Sequence, residues 1–323
     1  MMTRPSEQNV VQRLYFVGVS TAASGIMTIF PAWAEALGLR AEMHGVDLPV
    51  QARPDDVRAV IDTLAVDPQA VGALVTTHKA AVWDAASDRF SELDPWAQVC
   101  REISCIAVRD RGLIGWAKDP ITSRQAYTHL LGEDPWGGGE RDLVCLGAGG
   151  AGLALAAAVL DGGHQPRRVV LADRDPGRLT VSREVLDQLD VRAELELVVT
   201  SSPEQAGDLV SASAEGSLVV NATGMGKDLP GSPVGPDVVF PRGALAWDMN
   251  YRGDLAFLDI ARAQQLERGL VVADGWRYFL HGWTEVIAEL FGVAMSPDVF
   301  AELASIAGQV SGREVGSAGV SRG

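Results

Sequence analysis

The stretch VCLGAGGAGLALAAAVL, Val144 to Leu160, decides the fold. An apolar run, Leu143-Val144-Cys145-Leu146, meets glycines at 147, 149, 150 and 152, and an Ala/Leu/Val segment follows at once. That order reads as strand, tight turn, helix. The first glycine lets the chain turn sharply, the next leave no Cβ between backbone and ligand, and the last lets the helix lie close on the sheet. The new helix aims its free N–H groups and the positive end of its dipole at a pyrophosphate. Gly147, Gly149 and Gly152 fit G-x-G-x-x-G. A second strand, Arg168 to Ala172, ends in Asp173 about 25 residues on, which suits an acid that meets an adenosine ribose. A dinucleotide site is therefore expected, formed by Gly147, Ala148, Gly149, Gly150, Ala151 and Gly152.

With 323 residues, two domains is the natural expectation. Hydrophobic residues at 47% and charged residues at 21% are ordinary for a globular protein. A net charge of −15 argues against nucleic acid or an anionic membrane as a partner, and reads equally as a plain acidic surface. Three cysteines, Cys100, Cys105 and Cys145, lack metal-ligand spacing and read as reduced thiols, so no metal site and a cytoplasmic location are expected. The first residues, MMTRPSEQNVVQR, lack an apolar signal core.

Elsewhere strands alternate with helices, which predicts an α/β fold with mostly parallel sheets. After a loose arm over residues 1–12, Leu14 to Val19 is a strand that runs into Ser20-Thr21-Ala22-Ala23-Ser24-Gly25 and a helix from Ile26 to Leu37. Strands at 41–47 and 71–76 flank a helix opened by Pro54 with Asp55 and Asp56 in its first turn. A broken helical stretch to about Val99, a hairpin around Asp110-Arg111-Gly112 and a helix from Asp119-Pro120 to Leu131 follow. Gly132 to Glu140 is the clearest break. Beyond it lie strands at 142–146, 168–172, 193–199, 218–221 and 244–248, with helices between, then final helices at 275–291 and 297–308. The expected division is a substrate-binding and catalytic domain over 1–120 with the 275–310 helices packed back on it, a Rossmann domain over 121–274, and a disordered tail over 309–323.

These pieces resemble the shikimate/quinate dehydrogenase family. Gly18 to Ser24 is similar to its first loop, where serines hold the substrate carboxylate. Gly72 to Lys79 resembles the segment that ends in its catalytic lysine, and Gly115 to Asp119 the segment that ends in its catalytic aspartate. Asn221-Ala222-Thr223-Gly224-Met225-Gly226 is similar to its loop beside the nicotinamide, Asp248 to Tyr251 to its Asp-x-x-Tyr stretch, and Asp274-Gly275 to the start of its last substrate-facing helix. The resemblance implies Lys79 and Asp119 as the catalytic pair acting on one hydroxyl, and Ser24, Thr76, Ser104, Tyr251 and His281 as substrate contacts. It implies Asp173, Arg174, Asn221, Thr223, Gly224, Met225 and Gly275 as cofactor contacts beside the glycine loop. Taken singly, Lys79 also reads as an exposed first-turn lysine, Asp119 as a helix cap, Asn221 as a turn residue and Tyr251 as core.

Departures concentrate where the family binds its acid substrate. Ile26 stands where the second serine belongs, Leu74 or Ala73 where an asparagine is expected, Ser104-Cys105 for Asn-Thr, Ala117-Lys118-Asp119 for Asn-Thr-Asp, and Gly282 for a glutamine. Arg252, Arg277, Lys118 and His281 are candidate replacement contacts. The expected activity is hydride transfer between a nicotinamide and a ring alcohol or ketone other than shikimate, in a monomer or homodimer. Asp173 favours NAD, since an acid accepts from the ribose hydroxyls and repels a 2′-phosphate. Arg174 keeps NADP as the alternative. A non-catalytic dinucleotide- or metabolite-binding protein on this fold and a folate-type dehydrogenase are the competing readings.

Overall fold

The computed structural model describes residues 10–132, 134–227, 229–313 and 320–322. In chain order its elements are β1 (Gln12–Gly18), α1 (Ile26–Ala36), β2 (Ala41–Asp47), α2 (Pro54–Val66), β3 (Ala70–Val75), α3 (Lys79–Ala86), β4 (Phe90–Leu93), α4 (Pro95–Cys100), β5 (Cys105–Arg109), β6 (Gly112–Trp116) and α5 (Asp119–Leu131). There follow β7 (Asp142–Leu146), α6 (Gly150–Leu160), β8 (Arg168–Asp173), α7 (Pro176–Leu186), β9 (Glu194–Val199), α8 (Pro203–Ser211), β10 (Leu218–Asn221), β11 (Leu245–Asp248), α9 (Ala256–Arg268), β12 (Val271–Ala273), α10 (Trp276–Phe291), α11 (Pro297–Val310) and β13 (Val320–Arg322). The described residues fall into two compact units, residues 10–118 with 283–313 and residues 119–282 with 320–322. No helix among them is long and apolar enough to cross a membrane.

The first unit holds a six-stranded sheet in the order β2-β1-β3-β5-β6-β4. β1 pairs in parallel with β2 and β3, while β3, β5 and β6 run antiparallel through the expected hairpin. α2 shows how its helices seat. Pro54 pre-sets the first turn, Asp55 and Asp56 meet the positive helix end, and Val57, Ile61 and Leu64 fall on one buried face. That face packs with Val17, Val75, Ile103 and Ile106 into one core. On the other side, the indole Nε1 of fully buried Trp33 in α1 donates to the Leu303 carbonyl of α11 at 2.7 Å.

The second unit holds a seven-stranded sheet in the order β13-β12-β11-β10-β7-β8-β9, parallel throughout except for the β12–β13 pair. β7 comes first in this unit's sheet order along the chain yet lies inside the sheet. β8 and β9 build outward on one side and β10, β11 and β12 on the other, so the strand order reverses between β7 and β10. Such a reversal leaves a crevice beyond the carboxyl ends of the strands. α6 is buried from Gly152 to Leu160, as a helix apolar all round must be.

The structure corrects the expectations at several points. The stretch after α3 is not helical throughout: β4 forms at Phe90–Leu93, pairing with β6. Four residues with one partner strand carry little local signal. α9 and β12 were not expected. Leu255 enters α9 in a left-handed conformation with no side-chain cap, so the usual start signal is missing. Residues 134–140 lie inside the second unit, with a short 3-10 turn at Gly137–Gly139 before β7. The tail is ordered in part: α11 runs to Val310, and β13 pairs antiparallel with β12. Residues 314–319 and 323 of that tail, and 1–9 of the expected arm, lie outside the described residues. The three cysteines are free and buried, and burial pushes the Cys145 thiol up to about 12 and Cys105 upward as well.

Trp33→Phe keeps an aromatic ring but removes the indole N–H that reaches the Leu303 carbonyl, and leaves part of the indole's space empty. One lost hydrogen bond and a small cavity together cost about 1–3 kcal/mol. Urea unfolding of this variant is expected to show a lowered midpoint with an unchanged slope.

Candidate functional site

In the second unit the decisive contact is between two backbones. Gly147, just past β7, has φ +108°, and a Cβ there would lie 2.6 Å from the carbonyl carbon of Ala222, just past β10. In the first turn of α6, a Cβ on Gly152 would lie 1.9 Å from the Gly147 oxygen. Glycine is therefore required at both positions by close packing. Gly149 stands at the N-cap of α6 with no side-chain cap, as the fingerprint predicts for a helix start left to a phosphate. Beside this loop lies a cavity of about 270 Å³ lined by Gly147, Asp173, Arg174, Arg178, Thr223 and Met225 among others. A glycine cradle, a helix N-terminus and two arginines suit a diphosphate-bearing dinucleotide.

Asp173 lines this cavity and is also engaged within the protein. Its Oδ2 accepts from the Ala148 N–H at 2.8 Å and its Oδ1 from the Asp175 N–H at 2.9 Å, and its side chain is only 5% exposed. It braces the glycine loop from below. Arg174 and Arg178 are exposed on the cavity wall beside it. Arg178, on the first turn of α7, was missed in the sequence, although its position five residues beyond Asp173 places it next to Arg174's strand end. The Thr200–Pro203 wall was missed too, because nothing local marks it.

The loop after β10 is fixed by a closed set of hydrogen bonds. Asn221 Oδ1 accepts from the Thr223 N–H (3.1 Å) and hydroxyl (2.6 Å), and Asn221 Nδ2 donates to the Met225 carbonyl (3.1 Å) and to Asp248 Oδ2 (2.9 Å). Thr223 Oγ1 accepts in turn from the Met225 N–H at 3.1 Å. Asn221 thus uses both donors and both acceptors of its amide while fully buried. Gly224 takes a positive φ of +77° in this turn. Gly275 is glycine for packing: a Cβ would lie 2.0 Å from the Met249 oxygen. Tyr251 packs its ring against Trp276 and Phe279, with centroids 5.6 and 4.5 Å away. His281 is held neutral, its pKa pushed down to about 3 by burial and by the positive Arg277 and His129.

Of the remaining expected residues, the first unit carries Ser24, Thr76, Lys79 and Ser104, and the second begins with Asp119. Lys79 is the first residue of α3 and Asp119 the first of α5, where it is buried. Ser24 closes the short turn at Thr21–Ala23 and is half-buried. Thr76 donates to the Val17 carbonyl at 3.2 Å. The Ser104 hydroxyl accepts from the Lys118 N–H at 2.7 Å and reaches the Trp116 carbonyl at 3.4 Å, so it serves the β5–β6 hairpin. Lys118 is committed as well, its Nζ 2.7 Å from Glu289 Oε2. Ile26 is fully buried. The cavity thus gathers Gly147, Asp173, Arg174, Thr223 and Met225, with Ala148 and Asn221 one bond away.

No family model matches the chain. Among curated relatives, it is 30% identical over 182 residues to the shikimate dehydrogenase (NADP(+)) of Streptococcus gordonii, covering 54% of this chain and 59% of the relative. It is 28% identical over 303 residues to that of Methylocella silvestris, covering 90% of this chain and 94% of the relative. The match to the first three relatives spans only 59%, 50% and 58% of their length. Among solved structures, the fold is similar to quinate dehydrogenase from Corynebacterium glutamicum in complex with NAD (TM-score 0.73, 21% identity, 92% of this chain and 99% of that one). It is also similar to 5-ketofructose reductase of Gluconobacter sp. (TM-score 0.66, 20% identity, 92% and 98%). The motifs stand along the chain in the order that the resemblance predicts, and the two-unit α/β fold is similar to that of shikimate and quinate dehydrogenases.

Proposed function

We propose that the chain is an NAD(P)-dependent oxidoreductase of the shikimate/quinate dehydrogenase type, acting on a ring alcohol or ketone. The observation that carries this reading is the glycine cradle at the reversal of strand order, where Gly147 and two arginines line one cavity and α6 begins three residues further on. When bound, the nicotinamide supplies or accepts the hydride. The chain's own residues then have to manage the oxygen. Lys79 donates to the carbinol oxygen, steadies negative charge as it develops there and exchanges the proton. By the resemblance in sequence, Asp119 is the second proposed catalytic residue, a carboxylate able to accept from a hydroxyl.

NADP is the better-supported cofactor. The argument for NAD needed Asp173 turned toward a ribose, whereas both its oxygens accept from loop N–H groups. Arg174 and Arg178 suit a 2′-phosphate. The Streptococcus and Methylocella relatives are named as NADP(+) enzymes.

The substrate is proposed to be a ring compound other than shikimate. The positions at which the family contacts its acid substrate hold buried Ile26, apolar Ala73 and Leu74, and Gly282 without a side chain. Ser104 and Lys118 spend their polar groups within the protein. A carboxylate with vicinal hydroxyls would leave polar groups unpaired on such a surface, which disfavours it strongly. That a 5-ketofructose reductase shares the fold is consistent with a changed substrate.

Lys79→Ala is expected to lower kcat by about 100- to 10,000-fold on a panel of ring alcohols and ketones, with cofactor affinity unchanged. Efficient turnover of shikimate on that panel would overturn the substrate reading. Arg174→Ala is expected to weaken NADPH binding about tenfold or more, the worth of a charge-assisted contact, and to leave NADH binding nearly unchanged. Equal loss for both cofactors in a fluorescence titration would show that Arg174 does not read the 2′-phosphate.

A further inference from the structure

Asp248, at the end of β11, sits at the centre of the hydrogen bonds that shape the Thr223–Met225 wall. Its Oδ2 accepts from Asn221 Nδ2 at 2.9 Å, and its Oδ1 from the Asn250 N–H at 2.8 Å. Both of those asparagines then donate to one atom, the Met225 carbonyl, at 3.1 and 3.2 Å. Asp248 is fully buried and does not line the cavity, so it acts only through the two amides. An ionised carboxylate accepts at both oxygens at once. A primary amide or a protonated acid presents one good acceptor and one donor, and the donor would face Asn221 Nδ2 or the Asn250 N–H.

Resting on the dinucleotide reading of the cavity, we propose that Asp248 is a positioning residue of the pocket: its ionised carboxylate holds Asn221 and Asn250, and through them fixes the Met225 backbone and the wall that meets the cofactor. The two asparagines that face Asp248, from β10 and from the turn after β11, are uncharged. The charged neighbour that acts on it is Asp274, just past β12, whose own Oδ1 accepts from the Trp276 N–H. Burial first, and then the repulsion of Asp274, outweigh the hydrogen bonds and push the Asp248 carboxyl up to about 6. The brace is therefore complete well above that value and is lost as pH falls through it. Cofactor affinity changes with it in the same direction.

The test is NADPH affinity of wild type and Asp248→Asn, read by fluorescence titration from pH 5 to 8. The 2′-phosphate titrates in the same range, so the informative quantity is the ratio of the two dissociation constants at each pH. That ratio is expected to be about tenfold at pH 8 and to close toward one at pH 5, where the wild-type brace is also protonated. Equal affinity at pH 8 overturns the proposal, and so does a ratio that stays constant with pH, which marks an ordinary packing defect. Wild type that binds no dinucleotide at pH 8 overturns the cavity reading itself, and this proposal with it. Should the variant fail to fold, hydrogen exchange of the wild type decides. Protection of the Thr223 and Met225 amides, corrected for intrinsic rates, must fall below pH 6, and a flat profile overturns the proposal.

Discussion

Where β7 and β10 part, there is no space for a side chain. The Gly147 and Ala222 backbones approach so closely that even a methyl group would strike the carbonyl carbon. The Gly147 oxygen is at the same time the floor on which Gly152, and with it α6, is seated. One loop thus fixes the spacing of two strands and the height of the helix above them. The direction of the α6 N–H groups, the mouth of the cavity and the start of the Asn221 loop all follow from that spacing. Electrostatics enters only after sterics has set the stage: the helix dipole acts where glycines at 147 and 149 leave no side chain of their own before it.

A second theme is how this acidic chain uses its carboxylates. Asp173 holds the glycine loop through the Ala148 N–H, and Asp248 holds the Asn221 loop. In the first unit, Asp47 at the end of β2 accepts from both the N–H and the hydroxyl of Thr21, at 2.7 and 2.6 Å, and so shapes the turn that carries Ser24. In each case the acid sits at or just beyond the end of a strand and ties down a neighbouring loop. The cations Arg174 and Arg178 are left on the exposed side of the cavity. The acids do the bracing, and the exposed wall of the cavity carries the cations.

Much of the fold was legible because its signals are local. The glycine spacing after β7, Pro54 at the start of α2 and the hairpin at Gly112 each carry their own physical cause within a few residues. The order of motifs along the chain was legible as well and led to the family of its curated relatives. What stayed hidden depends on partners far away in sequence. β4 is a strand because β6 lies beside it, and β12 because β11 does. The direction in which Asp173 points was likewise not written in its neighbours, since an acid at a strand end serves a ribose or a backbone N–H equally well. Ser104 and Lys118 looked available for a substrate, and their engagement with each other and with Glu289 comes from tertiary packing.

The buried cysteines have a practical consequence. Cys145 lies in β7 directly beneath the glycine loop, its Sγ 3.6 Å from the Gly147 oxygen, while Cys100 and Cys105 belong to the first unit. Thiols that are shielded and poorly ionised react with alkylating reagents only when the surrounding structure opens. Each unit therefore carries its own internal clock for local unfolding. Peptide mapping after timed alkylation would time the two clocks separately, without any introduced label.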